Sequence, residues 1–245
     1  MNMYELYNED CLDVLKNIPD ESIDLVVTDC PYHIVKGGCT NIPRKDETGG
    51  ILNRRNTFIR EDVTSGKIFK NNDIEFDDWL PDVYRVLKDG THCYIMINAR
   101  NVKDLQVACE KVGFKFQNIL IWNKGNATPN RYYLNAYEMI LMLKKGKARN
   151  INNMGQKNIF DIKNLRGNKQ HPTEKPVELN KLLIENSSNE GEIVLDPFMG
   201  VGACGVACLE LNRKFIGIEI DENYFEIART RIEEQQNVDI YDDLD

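Results

Sequence analysis

Short apolar runs alternate along the chain with stretches whose apolar residues recur every three or four positions, and this alternation predicts an α/β fold. Tyr4–Tyr7, Ile23–Thr28, His92–Asn98, Asn118–Trp122, Glu138–Leu143, Glu192–Leu195 and Phe215–Glu219 read as strands. Several are dense in Ile, Leu and Val, as strands buried on both faces are. Asp78–Leu87, Asn101–Val112, Lys175–Ser187, Ala203–Leu211 and Glu222–Gln236 carry the helical period. Lys88-Asp89-Gly90 predicts a helix stop before the third strand. Two stretches break the rhythm. Residues 33–75 are rich in turn chemistry (Gly37-Gly38, Gly49-Gly50, Ser65-Gly66), and residues 144–170 are basic and Asn-rich. Both are long for plain connectors. The chain therefore reads as one domain, 1–245, with two loop insertions.

Composition narrows the class. With 245 residues, 42% hydrophobic and 29% charged, the chain is neither disordered, collagenous nor a disulfide-stapled mini-protein. No apolar run approaches the roughly 20 residues of a membrane span. The opening MNMYELYNEDC is acidic and mixed, unlike a secretory signal. Seven Cys show neither a CxxC pair nor metal-type spacing. The expectation is a cytoplasmic protein with reduced thiols, no membrane partner and no metal.

The net charge of −8 argues at first against nucleic acid, but its distribution is uneven. Lys144–Lys175 holds nine Lys/Arg against Asp161 and Glu174, a local +7, whereas Glu219–Asp245 holds ten acids against Arg229 and Arg231, a local −8. The acidity is largely a property of the tail, and a basic strip is left to meet phosphates. A solvated loop has the same composition.

Three local patterns carry candidate chemistry. Val194-Leu195-Asp196-Pro197-Phe198-Met199-Gly200-Val201-Gly202-Ala203 is a strand ending in an acid, a Gly-containing turn, then a helix. Glycines let a backbone approach a ligand closely, and a helix N-terminus offers free N–H groups. About 20 residues on, Phe215-Ile216-Gly217-Ile218-Glu219 ends in an acid that can accept from ribose hydroxyls. Gly-x-Gly without a third glycine suits an adenosine ligand lacking a pyrophosphate. A tight strand-to-helix turn in any α/β protein presents the same residues.

In Ile23–Tyr32 an apolar strand runs into Asp29, Cys30, Pro31 and Tyr32. Pro31 restricts Cys30 to extended backbone, which aims its carbonyl. A carboxylate, an aimed carbonyl and an aromatic face suit a planar ring bearing an amino group. An Asp at a strand end and a Tyr in the core is the plainer alternative. His171-Pro172-Thr173-Glu174-Lys175-Pro176 opens a helix and by itself is a helix start.

Together and in this order, these patterns resemble the β group of amino DNA methyltransferases that use S-adenosylmethionine. Asp29-Cys30-Pro31-Tyr32 is similar to their Asp-Pro-Pro-Tyr tetrapeptide, and Asp196–Gly202 to their Asp-Pro-Phe-x-Gly-x-Gly loop. His171–Pro176 is similar to their His-Pro-Thr-x-Lys-Pro segment. The likeness extends to Asn8-Glu9-Asp10-Cys11, Trp122-Asn123-Lys124-Gly125 and Tyr137-Glu138. Cys30 departs from the usual Pro, and Glu9 from the usual Gly.

The resemblance implies a doubly wound, seven-stranded, mostly parallel sheet of the Rossmann-like class I methyltransferase fold, here permuted. Asp29 and Asp196 should then face one crevice. It implies S-adenosylmethionine held by Asp10, Cys11, Asp196, Phe198, Gly200, Gly202 and Glu219, with Lys175 toward the carboxylate. Asp29, Cys30, Pro31 and Tyr32 would be catalytic. The expected activity is site-specific, metal-free methylation of adenine N6 in double-stranded DNA, in a restriction-modification setting, with homodimerisation open. DNA contacts are expected from the two insertions. Arg44, Lys45, Arg54, Arg55 and Arg60 sit in the first; Lys144, Lys145, Lys147, Arg149, Lys157, Lys163, Arg166 and Lys169 sit in the second.

Rival readings are N4-cytosine methylation, methylation of an adenine in RNA or of a glutamine side chain, and a catalytically silent DNA-binding protein in which Cys30 marks decay. A generic nucleotide-binding domain is disfavoured by the lack of a Gly-Lys-Ser/Thr loop.

Overall fold

The structure, a computed structural model, describes residues 3–31, 74–128, 133–165 and 174–242. Tyr32, Arg44, Lys45, Arg54, Arg55, Arg60, Arg166, Lys169 and His171 lie outside the described residues.

In chain order the elements are β1 (Tyr4–Tyr7), α1 (Cys11–Asn17), β2 (Ile23–Asp29), α2 (Phe76–Val86), β3 (Leu87–Ile97), α3 (Val102–Val112), β4 (Lys115–Thr128) and β5 (Asn135–Lys144). There follow β6 (Ile159–Asp161), α4 (Val177–Ser187), β7 (Ile193–Asp196), α5 (Ala203–Glu210), β8 (Lys214–Ile218) and α6 (Glu222–Asp242). The strands form one sheet in the order β1-β8-β7-β2-β3-β5-β4-β6. All pairs are parallel except those of β5, which runs antiparallel to β3 and β4.

Helices cover both faces, which is why β2 is mostly apolar, with Asp24 the one charged residue before its tip. From Leu25 onward successive β2 residues alternate sides, and an irregularity between Ile23 and Leu25 puts Ile23 on the side of Val26. Ile23 and Val26 pack with Leu15, Trp79, Val83 and Leu105 of α1–α3. Leu25 and Val27 pack with Leu179, Leu183, Ala207, Ala228 and Ile232 of α4–α6. Each fully buried Leu, Ile or Val contributes about 1.5–3 kcal/mol relative to exposure.

The sheet has one strand more than expected. β6 lies inside the presumed second insertion and pairs parallel with Ile121–Asn123 of β4. Three residues are too short to show a period, so partner geometry alone reveals it. Two further expectations change. Lys88-Asp89-Gly90 does not stop a helix: α2 ends at Val86, and these residues form an irregular start to β3. Gly90, at φ +80, donates its N–H to the Lys145 carbonyl at 3.1 Å. Cys11–Asn17, to which the sequence pattern assigns no element, is a helix capped by the Asp10 side chain, which accepts from the Leu12 N–H at 2.9 Å. No described helix is long and apolar enough to cross a membrane.

Candidate active site

Parallel pairing puts the C-terminal ends of β1, β8, β7 and β2 along one rim of the sheet. From β2 the chain goes on to β3 on one side of the sheet and from β7 to β8 on the other, and a crevice is expected beyond the strand ends at such a switch point. An open cleft lies there. Glu9, Asp10 and Cys11 wall it after β1, Pro31 after β2, Pro197 and Phe198 after β7, and Glu219 after β8. Five of the residues expected at the cofactor or the catalytic tip therefore converge: Asp10, Cys11, Pro31, Phe198 and Glu219.

The acidic groups are held by backbone donors. Glu219 accepts from the Gly200 N–H at 3.0 Å and the Asp221 N–H at 2.8 Å. Burial raises the Glu219 carboxyl above its usual range, and these two N–H groups oppose the rise. Each of its oxygens retains a second acceptor direction. Asp196 lies behind the wall rather than in it. It is buried, and its Oδ1 accepts from Thr28 Oγ1 at 2.7 Å and from the Phe198 N–H at 3.1 Å. Desolvation pushes this carboxyl up to about 7, against those two donors. Asp196 thus ties the β2 tip to the β7 turn and faces the protein rather than the cleft.

The two loop glycines serve different ends. Gly200 has φ +53, and a Cβ there would meet no protein atom within 4 Å. Gly202 has φ +78, and a Cβ there would come 2.9 Å from the Ala228 Cβ of α6. The first leaves open space at the turn; the second permits helix packing.

Phe198 has a partner that the sequence did not announce. The Trp79 ring of α2 meets it edge to face, centroids 5.1 Å apart at 86°. Trp79 has zero exposure and fixes the aromatic wall from behind.

At the β2 tip, Cys30 turns its thiol inward, 3.8 Å from the Met96 carbonyl, and burial raises that thiol well above its usual range. The Cys11 thiol is likewise pushed up to about 12, mainly by burial. Neither thiol is poised as a nucleophile. Asp29 is half-buried and hydrogen-bonded to Lys175 Nζ. Burial raises its carboxyl; Lys175 opposes this and Glu138 adds to it. Lys175, expected toward the cofactor carboxylate, is hydrogen-bonded at the β2 tip. Glu138 and Lys124, quoted above only as parts of motif-like segments, join it there: Lys124 Nζ donates to Glu138 Oε1 at 3.1 Å.

The basic strip divides. Lys145 is buried, and its Nζ donates to the carbonyls of Tyr84 at 3.0 Å and Leu87 at 2.7 Å. Arg149 forks onto Glu192, at 2.7 and 2.5 Å, and reaches the Ser187 carbonyl at 2.9 Å. Lys144 donates to Gln117 Oε1 at 2.6 Å and pairs in register with His92, at the sheet end opposite Asp29. These residues brace the far rim of the sheet. Lys157 is exposed.

Comparisons with known proteins agree with this geometry. The family model described as DNA methylase, of the N6/N4 group, matches residues 23–230. The Type II methyltransferase M2.DpnII of Streptococcus pneumoniae is 31% identical over 95% of this chain and 90% of its own length. TTHA0409 of Thermus thermophilus, solved in complex with S-adenosyl-L-methionine, superposes with TM-score 0.64 at 25% identity, covering 94% of this chain and 95% of that one. The cytosine-N4-specific PvuII DNA methyltransferase shares the fold with TM-score 0.68 at 17% identity, over 96% and 91% of the two chains. The cleft at the tips of the parallel strands is walled by the Phe198 ring and by Asp10 and Glu219. The chain belongs to the N6/N4 family of DNA methyltransferases and uses S-adenosylmethionine.

Proposed function

We propose that this methyltransferase acts on the exocyclic N6 of an adenine flipped out of duplex DNA. The observation that carries the reading is the Asp29 carboxylate at the β2 tip, two residues before Pro31 in the cleft wall. An amino nitrogen conjugated to a ring is a weak nucleophile. Asp29 would accept one amino hydrogen and the Cys30 carbonyl the other, which turns the nitrogen lone pair toward the cleft. Only the backbone of Cys30 is needed, so its departure from proline is compatible with activity. Bound S-adenosylmethionine supplies an electrophilic methyl group; positioning and fixed dipoles account for the rest of the acceleration.

The cofactor roles follow from the same geometry. Glu219 would accept from ribose hydroxyls through its remaining lone pairs. Asp10 would accept from the adenine amino group with the oxygen that does not cap α1, beside the Cys11 N–H. Phe198 would line the ligand, Gly200 would leave room for it, and Asp196 and Gly202 would hold the loop. Extruding the target base costs a few kcal/mol, and stacking on Tyr32 would offset about 1–3 kcal/mol of it. Residues 33–75 and, within 144–170, Lys157, Arg166 and Lys169 would meet the duplex.

An acid at position 29, where serine is frequent among cytosine-directed relatives, favours adenine. The N4 amino group of cytosine has the same hydrogens and is the second reading. Nucleoside mass spectrometry of DNA treated with the protein tests both: N6-methyldeoxyadenosine is expected. N4-methyldeoxycytidine alone would overturn the choice of base. Cofactor binding with no methylated product on genomic DNA would favour the silent binding protein.

A further inference from the structure

Asp29 is one end of a chain of four charges. Lys175 Nζ donates to Asp29 Oδ2 and lies 3.4 Å from Glu138 Oε2, while Lys124 Nζ donates to Glu138 Oε1 at 3.1 Å. The four residues come from β2, the segment before α4, β5 and β4, and their formal charges cancel. The Lys175 side chain is only 9% exposed, so its ammonium depends on these carboxylates for compensation. It sits between two acceptors and is within reach of either.

The reacting amino group needs what Lys175 now holds. In the transfer the amino lone pair forms the new N–C bond, the C–S electrons stay with sulfur, and the nitrogen sheds one proton to solvent. Positive charge therefore builds on the nitrogen beside Asp29. An ammonium on the same carboxylate occupies an acceptor oxygen and cancels the stabilising charge. We infer that Lys175 and Glu138 are positioning residues for Asp29: Lys175 keeps the carboxylate ionised in the resting site, and Glu138 draws Lys175 aside when the base amino group arrives. Lys124 anchors Glu138 for this exchange. The inference rests on the reading of Asp29 as the acceptor of amino hydrogens.

The electrostatics have opposed signs, which makes them separable. Desolvation raises the Asp29 carboxyl, Lys175 lowers it and Glu138 raises it. For Glu138 itself desolvation works upward, but Lys175 and Lys124 prevail and hold it below the usual range. Among the described residues, the other charged or titratable groups near Asp29 include buried Asp196 on β7 and the adjacent Cys30 thiol. Neither is altered by the substitutions below.

The test is the pH dependence of single-turnover methyl transfer at saturating DNA and S-adenosylmethionine, with cofactor affinity measured in parallel by calorimetry. Lys175→Met should move the acid limb upward by roughly 1–3 pH units, as loss of a close opposite charge does, without weakening cofactor binding. Glu138→Gln should move it downward and lower the plateau rate, since Lys175 then stays on Asp29. Lys175→Arg should return the limb toward its original position. If Lys175→Met does not fold, the downward shift in Glu138→Gln decides. An unmoved or upward limb in Glu138→Gln overturns the exchange. Weakened cofactor binding in Lys175→Met, with its limb in place, assigns Lys175 to the cofactor instead. Asp29→Ala separates the two readings. Persistent transfer in that variant would remove Asp29 as acceptor, whereas a dead Asp29→Ala beside an unmoved Lys175→Met limb removes only the exchange.

Discussion

Glu219 is fixed before any ligand arrives, because the Gly200 and Asp221 N–H groups hold one oxygen each. Such preorganisation spares the ordering cost of binding. Glu219→Ala and Phe198→Ala should each weaken S-adenosylmethionine binding by about 1–2 kcal/mol, roughly tenfold, in calorimetric titration; unchanged affinity in both would remove the pocket assignment. Asp196 makes a different prediction. Its carboxyl, pushed up from 3.8 to about 7, binds its proton more tightly in the folded chain than in the unfolded one. Its contribution to stability is full below the unfolded value and is lost as pH rises through the folded one. Asp196→Asn should therefore flatten the decline in stability between roughly pH 4 and 7, by an amount on the order of 4 kcal/mol. Urea unfolding across that window is the measurement, and a slope equal to that of the parent would refute the assignment.

At the scale of elements, the two glycines of one turn should fail differently. Gly202→Ala adds strain at φ +78 and drives a methyl into Ala228, so α5 and α6 must part. A loss of about 2–4 kcal/mol in unfolding free energy is expected from the combined strain and overpacking. Gly200→Ala meets open space and should cost only about 1 kcal/mol of stability, from backbone strain alone. Its larger effect should fall on cofactor affinity. Comparable stability losses in the two variants would contradict this division. The same elements show what a sequence reveals. The Ile23–Asp29 run announced a strand buried on both faces, because burial on both faces leaves no polar alternation. The family resemblance implied neighbouring strands for Asp29 and Asp196, which the β2–β7 pairing shows, but nothing in the sequence says that Asp196 turns onto Thr28 rather than into the cleft. The three-residue β6 and the seven-residue α1 left no trace, since each is too short to establish a repeat of its own pattern. Trp79 falls within a helical period, and nothing in such a period says that its edge would face Phe198.

Across the whole molecule, charge density misled where partners were unseen. The Lys144–Lys175 strip is basic in sequence, yet Lys145 and Arg149 are committed to carbonyls and Glu192 at the rim away from the cleft. Arg149→Ala should cost about 1–3 kcal/mol of stability and leave the salt dependence of DNA affinity untouched. Joint neutralisation of Lys157, Arg166 and Lys169 should reduce that dependence by about one log unit per log salt for each phosphate no longer engaged. Filter binding over a salt series distinguishes the two sets, and a flattened slope in Arg149→Ala alone would relocate the DNA face.

The hydrogen bond from Thr28 to Asp196 spans 168 positions, and β1 finds its neighbour only in β8. On the ribosome the tip of β2 is therefore made well before β7 and β8, and the cleft cannot form until those strands have emerged. A chain cut short before Lys214 lacks β8 and Glu219, and with them one wall of the cleft and the only sheet neighbour of β1 among the described residues.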